Sequence, residues 1–212
     1  MSERLDRAIQ LLREAAQSSP DEPELWQRLF EAVLKQQRPD ETPGLFRNMV
    51  ESTSRRTQIH FDLFQRLVRQ GYSPVLERAF DEALSHNPAD ITSLYGRGLL
   101  HQAAGQQREA IEVYRTVLAI APGAAVALHN MGIALMTMRR IDEALEAARS
   151  AASACESMAE PYYLMAVIYL NRQEVRRAVE CFERFIAYAP PYLTSYLQHA
   201  RLTLQMFRGQ SQ

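Results

Sequence analysis

The groups that do chemistry in proteins are spread thinly and singly along these 212 residues. Five histidines (His60, His86, His101, His129 and His199) stand apart from one another outside any catalytic motif. No glycine-rich phosphate loop, His-Glu-x-x-His or Gly-x-Ser-x-Gly occurs. Cys155 and Cys181 lie 26 residues apart with no further Cys or His at ligand spacing, which fits packing better than a metal site or a redox pair. No catalytic residue, cofactor or metal site is expected. The chemistry to look for is recognition through shape and apolar contact.

Charge narrows the partners. The 24 basic and 25 acidic residues give a net charge of −1 and form no basic block, whereas a nucleic-acid partner would need a positive stripe against its phosphates. All but one of the basic residues are Arg, Lys35 being the exception, and Arg suits bidentate ion pairs between helices. Arg139-Arg140 and Arg176-Arg177 read as solvated residues at turns or helix starts. There is no apolar run of about 18 residues and no secretory leader, so neither membrane insertion nor export is expected and the cytoplasm is the expected compartment.

The elements that position any such surface follow from one interval. Pro20, Pro88, Pro122 and Pro190 lie 34 residues apart or at multiples of 34, with Ser54 and Glu156 in the intervening slots. About 34 residues accommodate two helices of a dozen residues and their turns, and a proline at position 32 stops the second helix at the same phase each time. Position 8 is small (Gly98, Gly132, Ala166), position 20 is Ala (Ala110, Ala144, Ala178), and position 24 holds Tyr114, Ala148 and Phe182. Small residues at positions 8 and 20 let paired backbones approach closely, where bulky ones would hold them apart.

This pattern resembles the tetratricopeptide repeat family. Residues 91–124 carry Leu94, Gly98, Gly105, Ala110, Tyr114 and Pro122; 125–158 carry Leu128, Met131, Gly132, Leu135, Ala144 and Ala151; 159–192 carry Tyr162, Met165, Ala166, Tyr169, Ala178, Phe182 and Pro190. The N-terminal half keeps the phase more loosely, with Trp26, Leu29, Phe46 and Met49 in 23–56 and Leu63, Leu67, Gly71, Phe80, Ala83 and Pro88 in 57–90. Thr42-Pro43 and Ser73-Pro74 read as an N-cap followed by proline at the first helical position. Residues 1–22, with Leu5, Ala8, Ile9, Leu12 and Ala15, read as a second helix without its first, and 193–208 as a first helix without its second. The expected fold is all-α: a single right-handed α-solenoid of about five 34-residue helix-turn-helix repeats plus a terminal half-repeat at each end, twelve helices in total.

The resemblance also implies where function lies. In the family, positions 2, 5, 6, 9, 12 and 13 of the first helices line a concave groove, and positions 4, 7, 8 and 11 pack inward. Carried over, position 5 gives Tyr95, His129 and Tyr163; position 9 gives Leu99, Ile133 and Val167; position 12 gives Gln102, Met136 and Leu170. Members that grip a C-terminal carboxylate need cations here. Only Asn130 matches that clamp, and Tyr95, Leu99, Glu160 and Leu164 occupy its other positions. His101 and His199, at positions 11 and 7, fall on inward-facing slots.

An apolar groove implies an apolar helix or peptide segment of another protein as partner, in an adaptor, scaffold or assembly-chaperone role. Tyr95, Leu99, Ile133 and Val167 could instead be buried by tight superhelical curvature. The alternatives in function are a regulatory or substrate-docking domain of a larger enzyme, and single-stranded RNA binding, for which the period and the charge are wrong. The two half-repeats also allow self-association.

Overall fold

The computed structural model describes residues 2–20, 22–36, 41–52 and 57–209, and those residues form twelve α-helices and no strand. The first helices of successive repeats, α2 (Pro23–Lys35), α4 (Thr57–Arg69), α6 (Ile91–Ala103) and α8 (Ala125–Thr137), begin 34 residues apart, and α10 (Glu160–Asn171) follows one residue off that interval. They alternate with second helices α3 (Thr42–Ser52), α5 (Ser73–His86), α7 (Gln107–Ile120), α9 (Ile141–Ala154) and α11 (Val175–Tyr188). α1 (Ser2–Ser18) opens the chain and α12 (Thr194–Gly209) closes it. Ser54 and the side chain of Leu5 lie outside the described residues. The chain divides into two compact units, Met1–Pro122 with α1 to α7 and Gly123–Gln212 with α8 to α12.

The turn between paired helices is the same in four repeats. Gly71, Gly105, Arg139 and Gln173 all occupy position 15, and all have positive φ, at 83°, 81°, 62° and 62°. The next residue's N–H reaches back five residues to a carbonyl of the last helical turn, as in Tyr72 to Leu67, Gln106 to His101, Arg140 to Leu135 and Glu174 to Tyr169. The left-handed residue itself donates three residues back, for example Arg139 to Met136. This is the Schellman closure, which satisfies orphan carbonyls and normally selects glycine. Arg139 and Gln173 hold it with a side chain.

The expected caps sit differently. Ser73 is the first residue of α5 and Tyr72 occupies the cap position without a side-chain hydrogen bond. Thr42 is buried, and its hydroxyl has no hydrogen-bond partner among the described residues. It occupies position 20, so helix packing has claimed the side chain that would have capped.

Helix pairs α6–α7, α8–α9 and α10–α11 are the closely packed ones. The small residues at positions 8 and 20 account for this. A Cβ on Gly132 would come 3.1 Å from Leu164 Cδ2 and 3.3 Å from the Ala144 carbonyl oxygen, and one on Gly98 would overlap the Tyr114 ring. Ala110, Ala144 and Ala178 are fully buried. In the two preceding repeats positions 8 and 20 hold Phe30 with Thr42, and Phe64 with Leu76, all buried.

Those rings hold the N-terminal helices apart, and the first unit fills the space with an aromatic cluster. Phe46 meets Phe64 edge-on at 5.1 Å and Phe80 at 5.7 Å, and Tyr95 stacks on Phe46 at 6.0 Å. α6 packs against α3, α4 and α5 as well as α7. Gly96 permits this, because a Cβ there would lie 2.6 Å from Phe80 Cζ. His60 is buried within the cluster, its Nδ1 3.2 Å from the Tyr95 hydroxyl. Burial pulls its pKa from 6.5 down to about 3, so the imidazole is neutral at neutral pH.

Salt bridges contribute less to this architecture. Arg140 binds Glu143 through two hydrogen bonds of 2.7 and 2.6 Å, but within one helical turn. Arg47 of α3 pairs with Asp90, just before α6, at 2.9 Å, and Arg13 of α1 with Glu41, just before α3, at 3.2 Å; both are partly exposed contacts of a kind worth less than about 1 kcal/mol.

Three predictions follow from these contacts. Gly98→Ala is expected to cost about 1–3 kcal/mol, because its methyl meets a fully buried ring. Gly132→Ala, whose methyl meets a flexible leucine and, at 3.3 Å, the Ala144 carbonyl oxygen while gaining about 1 kcal/mol of helix propensity, should stay within about 1 kcal/mol of wild type; urea denaturation of the two variants compares them. Arg139→Gly should stabilise the protein by about 0.5–1 kcal/mol, the cost of a left-handed side chain less the extra freedom of unfolded glycine, and a lower denaturation midpoint would contradict it. For His60 the neutral form is the folded one, so its contribution is fully present above its unfolded pKa of 6.5 and is lost as pH falls toward about 3, at roughly 1 kcal/mol per pH unit. His60→Gln is expected to lower the slope of the stability profile between pH ~6 and ~4.5 by roughly 1 kcal/mol per pH unit, leaving the part due to His129, whose pKa is also pulled down to about 3, and an unchanged slope in that range would refute the assignment.

Candidate functional site

The second unit contains two neighbouring first helices, α8 and α10, which touch each other and are each backed by their own second helix. His129, Ile133 and Met136 recur at i, i+4 and i+7 on α8. Tyr163, Val167 and Leu170 do the same on α10, so each set forms one stripe. Ile133, Met136, Val167 and Leu170 are half-buried, and their side chains make a purely apolar group of four.

The other two residues of these stripes are committed elsewhere. His129 is only 4% exposed, its Nδ1 has no hydrogen-bond partner among the described residues, and burial pulls its pKa down to about 3. It therefore presents no cation. Tyr163 is half-buried at a junction of three helices: its ring meets Phe182 and Phe185 of α11 edge-on at 5.8 and 5.1 Å, and Tyr196 of α12 at 4.9 Å. Its hydroxyl lies 2.9 Å from His199 Nδ1. Burial, and then the neighbouring Tyr196, push its pKa up, so it stays a neutral phenol.

Tyr95 and Leu99 are not surface residues. They are 2% and 0% exposed, within the first unit. The Tyr95 ring lies among Phe46 and His60 of the two preceding repeats and Tyr114 of its own. Gln102 is buried as well, accepting a 2.8 Å hydrogen bond from the Tyr114 hydroxyl. These residues are buried, while Ile133 and Val167 remain partly open.

One further position differs from the sequence-based expectation. His199 is exposed rather than inward-facing, and it joins α12 to α10 through Tyr163. Asn130 and Glu160 are buried, and Glu160 is a carboxylate where a carboxylate clamp needs a cation. Sequence reasoning missed Tyr196, whose aromatic character at position 4 is the usual packing signal and carries no sign of its contact with Tyr163. Both cysteines are half-buried, and burial, followed by Glu180, pushes the Cys181 thiol up to about 11, which makes it a poor nucleophile at neutral pH. No helix among the described residues is long and apolar enough to cross a membrane.

Comparison with known proteins agrees with this architecture. Models of the tetratricopeptide repeat match residues 1–41, 61–125 and 162–191. No curated protein matches the sequence. Among solved structures, a crystal structure of MamA is 20% identical with a TM-score of 0.57, covering 69% of this chain and 83% of that one. MamA from Desulfovibrio magneticus RS-1, residue 41 to the end, is 18% identical with a TM-score of 0.52, covering 79% of this chain and 95% of that one. The chain of the Cut9–Hcn1 hetero-tetramer of the APC/C is 13% identical with a TM-score of 0.56, covering 96% of this chain and 40% of that one. These likenesses are of fold: all-helical solenoids. With three repeat matches along its length and helices alternating on the repeat's own interval, the chain belongs to the tetratricopeptide repeat family, whose fold is typically a non-catalytic scaffold for protein interaction.

Proposed function

We propose that this protein is an adaptor or assembly scaffold whose second unit takes an apolar, helical segment of another protein along α8 and α10. The observation that carries the reading is the set of four half-buried apolar side chains, Ile133, Met136, Val167 and Leu170, on two touching helices. Spacings of i and i+3 on each helix offer ridges and hollows to a partner helix with apolar residues at i, i+3, i+4 and i+7. Met136, flexible and polarizable, adapts to an imperfectly matched partner. The absence of charge among the four disfavours an acidic or phosphorylated ligand. A role in assembly accords with the Cut9 chain, which was solved in a hetero-tetramer with Hcn1.

The test compares capture from native lysate by wild type and by the double variant Ile133→Glu/Val167→Glu. The variant is expected to lose the specifically retained protein while keeping its helical circular dichroism and its stability to within about 1 kcal/mol, as half-buried positions allow. Equal capture by a folded double variant would sink the proposal. Tyr95→Ala and Leu99→Ala provide the contrast: as core truncations they are expected to cost on the order of 2–5 kcal/mol in chemical denaturation.

A further inference from the structure

Two arginines of the first unit are held by neutral partners. On α4, Arg69 Nη2 donates to Gln65 Oε1 at 2.9 Å, and Arg66 Nη1 donates to the side-chain oxygen of Gln27 on α2, which packs beside α4. Neither pairs with a carboxylate among the described residues. Elsewhere the acceptor is an acid: Arg47 reaches Asp90, Arg97 Asp81, Arg115 Glu112 and Arg172 Asp142. Cations in the last turn of a helix are ordinary. What sets Arg66 and Arg69 apart is that their hydrogen bonds orient the guanidinium and leave its charge uncompensated.

The carboxylate of this network is already engaged. Glu31 of α2 accepts hydrogen bonds of 2.7 Å from Gln27 Nε2 and 2.9 Å from Gln70 Nε2 of α4, and Lys35 lies 3.7 Å away. The amide bonds from Gln27 and Gln70, with Lys35 adding to them, hold its carboxyl below its ordinary range, so it is ionised and its charge answers that of Lys35. Gln27 stands between the two groups: its N–H donates to Glu31 and its oxygen accepts from Arg66. Two positive charges remain, three residues apart and exposed on one side of α4. Beside them Phe61 and Val68, at positions 5 and 12, are half-buried.

We propose that this face of α2 and α4 docks an acidic segment of another protein, two of whose side-chain carboxylates pair with Arg66 and Arg69. Charge complementarity specifies the occupant. Each guanidinium keeps donors that its glutamine does not use, and the planar carboxylate matches that fork. A nucleic acid fits less well, because a phosphate backbone needs a longer positive stripe and Glu31 lies in the same network. The cations come from positions 10 and 13, so the site is not a grip on a C-terminal carboxylate and takes acidic residues within a chain. It uses none of the apolar residues on α8 and α10 and stands independently of their role.

Fluorescence anisotropy with a labelled octaglutamate peptide and the full 212-residue chain tests this at about 20 mM salt, where screening is weak. Wild type is expected to bind the peptide, more weakly as salt rises, and not to bind octaglutamine. Arg66→Gln/Arg69→Gln should lower the affinity by at least about tenfold, through loss of two charge-assisted contacts, with unchanged circular dichroism. If that variant loses helix, Arg69→Gln alone, whose hydrogen bond lies within α4, should still weaken binding several-fold. Arg115→Gln removes an arginine already paired with Glu112 and should leave the affinity within about twofold. No binding by wild type, equal binding by the folded variant, an equal loss in Arg115→Gln, or tighter binding of an oligouridylate of the same length would each overturn the proposal, the last by assigning the face to nucleic acid.

Discussion

The distance of closest approach between two paired helices governs what the rest of this chain can do. It is set by one residue per repeat. With glycine or alanine at position 8, in Gly98, Gly132 and Ala166, backbones come close enough that a Cβ at Gly132 would sit 3.3 Å from a backbone oxygen of its partner helix. With Phe30 or Phe64 there, the pair is wedged open and the interior must be filled by rings. Dispersion favours either solution provided no void is left. The aromatic one sets Phe46 and His60 against the Tyr95 ring of the following first helix, while Val167, which follows a close-packed pair, stays partly at the surface.

Phase is maintained separately from spacing. The left-handed residue at position 15 and its backbone hydrogen bonds recur in four repeats whether the residue is Gly71, Gly105, Arg139 or Gln173. A side chain in that conformation is strained by roughly 1–2 kcal/mol. It persists because the carbonyl closures and the tight pair on either side over-determine the turn. The repeat thus tolerates a poor residue where geometry is fixed from both sides, whereas at position 8, where the constraint is volume, a change of size from glycine to Phe30 or Phe64 goes with a different packing of the pair.

This difference explains what was legible in the sequence. Period, helix number and the small-residue positions are local and recur, so they could be read directly. The fate of position 5 could not be read from its own repeat. Tyr95 and Tyr163 occupy the same slot with the same side chain. One lies among Phe46, His60 and Tyr114, and the other at the junction with α12. The deciding signal for Tyr95 lay in the two repeats before it, in Phe46 and His60. For His199 it lay in the open side of α12. The cap at Thr42 failed for a related reason: a hydroxyl in a packing position serves packing first, and Thr42 is wholly buried.

A first helix in such a stack has two separate apolar surfaces. At 100° per residue, positions 9 and 12 point to one side and positions 3, 10 and 14 to another roughly 150° away. The first pair carries Ile133, Met136, Val167 and Leu170. The second set holds Leu100, Ala134 and Ile168, which are buried, and Leu202 and Met206, which lie open. Recognition of a partner and continuation of the stack therefore use different side chains of the same kind of helix. A change such as Gly132→Ala presses on the helix pair without altering the four outward residues, and a charge at Ile133 leaves the pair's spacing alone. That separation lets a repeat vary its binding face while its packing residues, fixed by volume, stay the same.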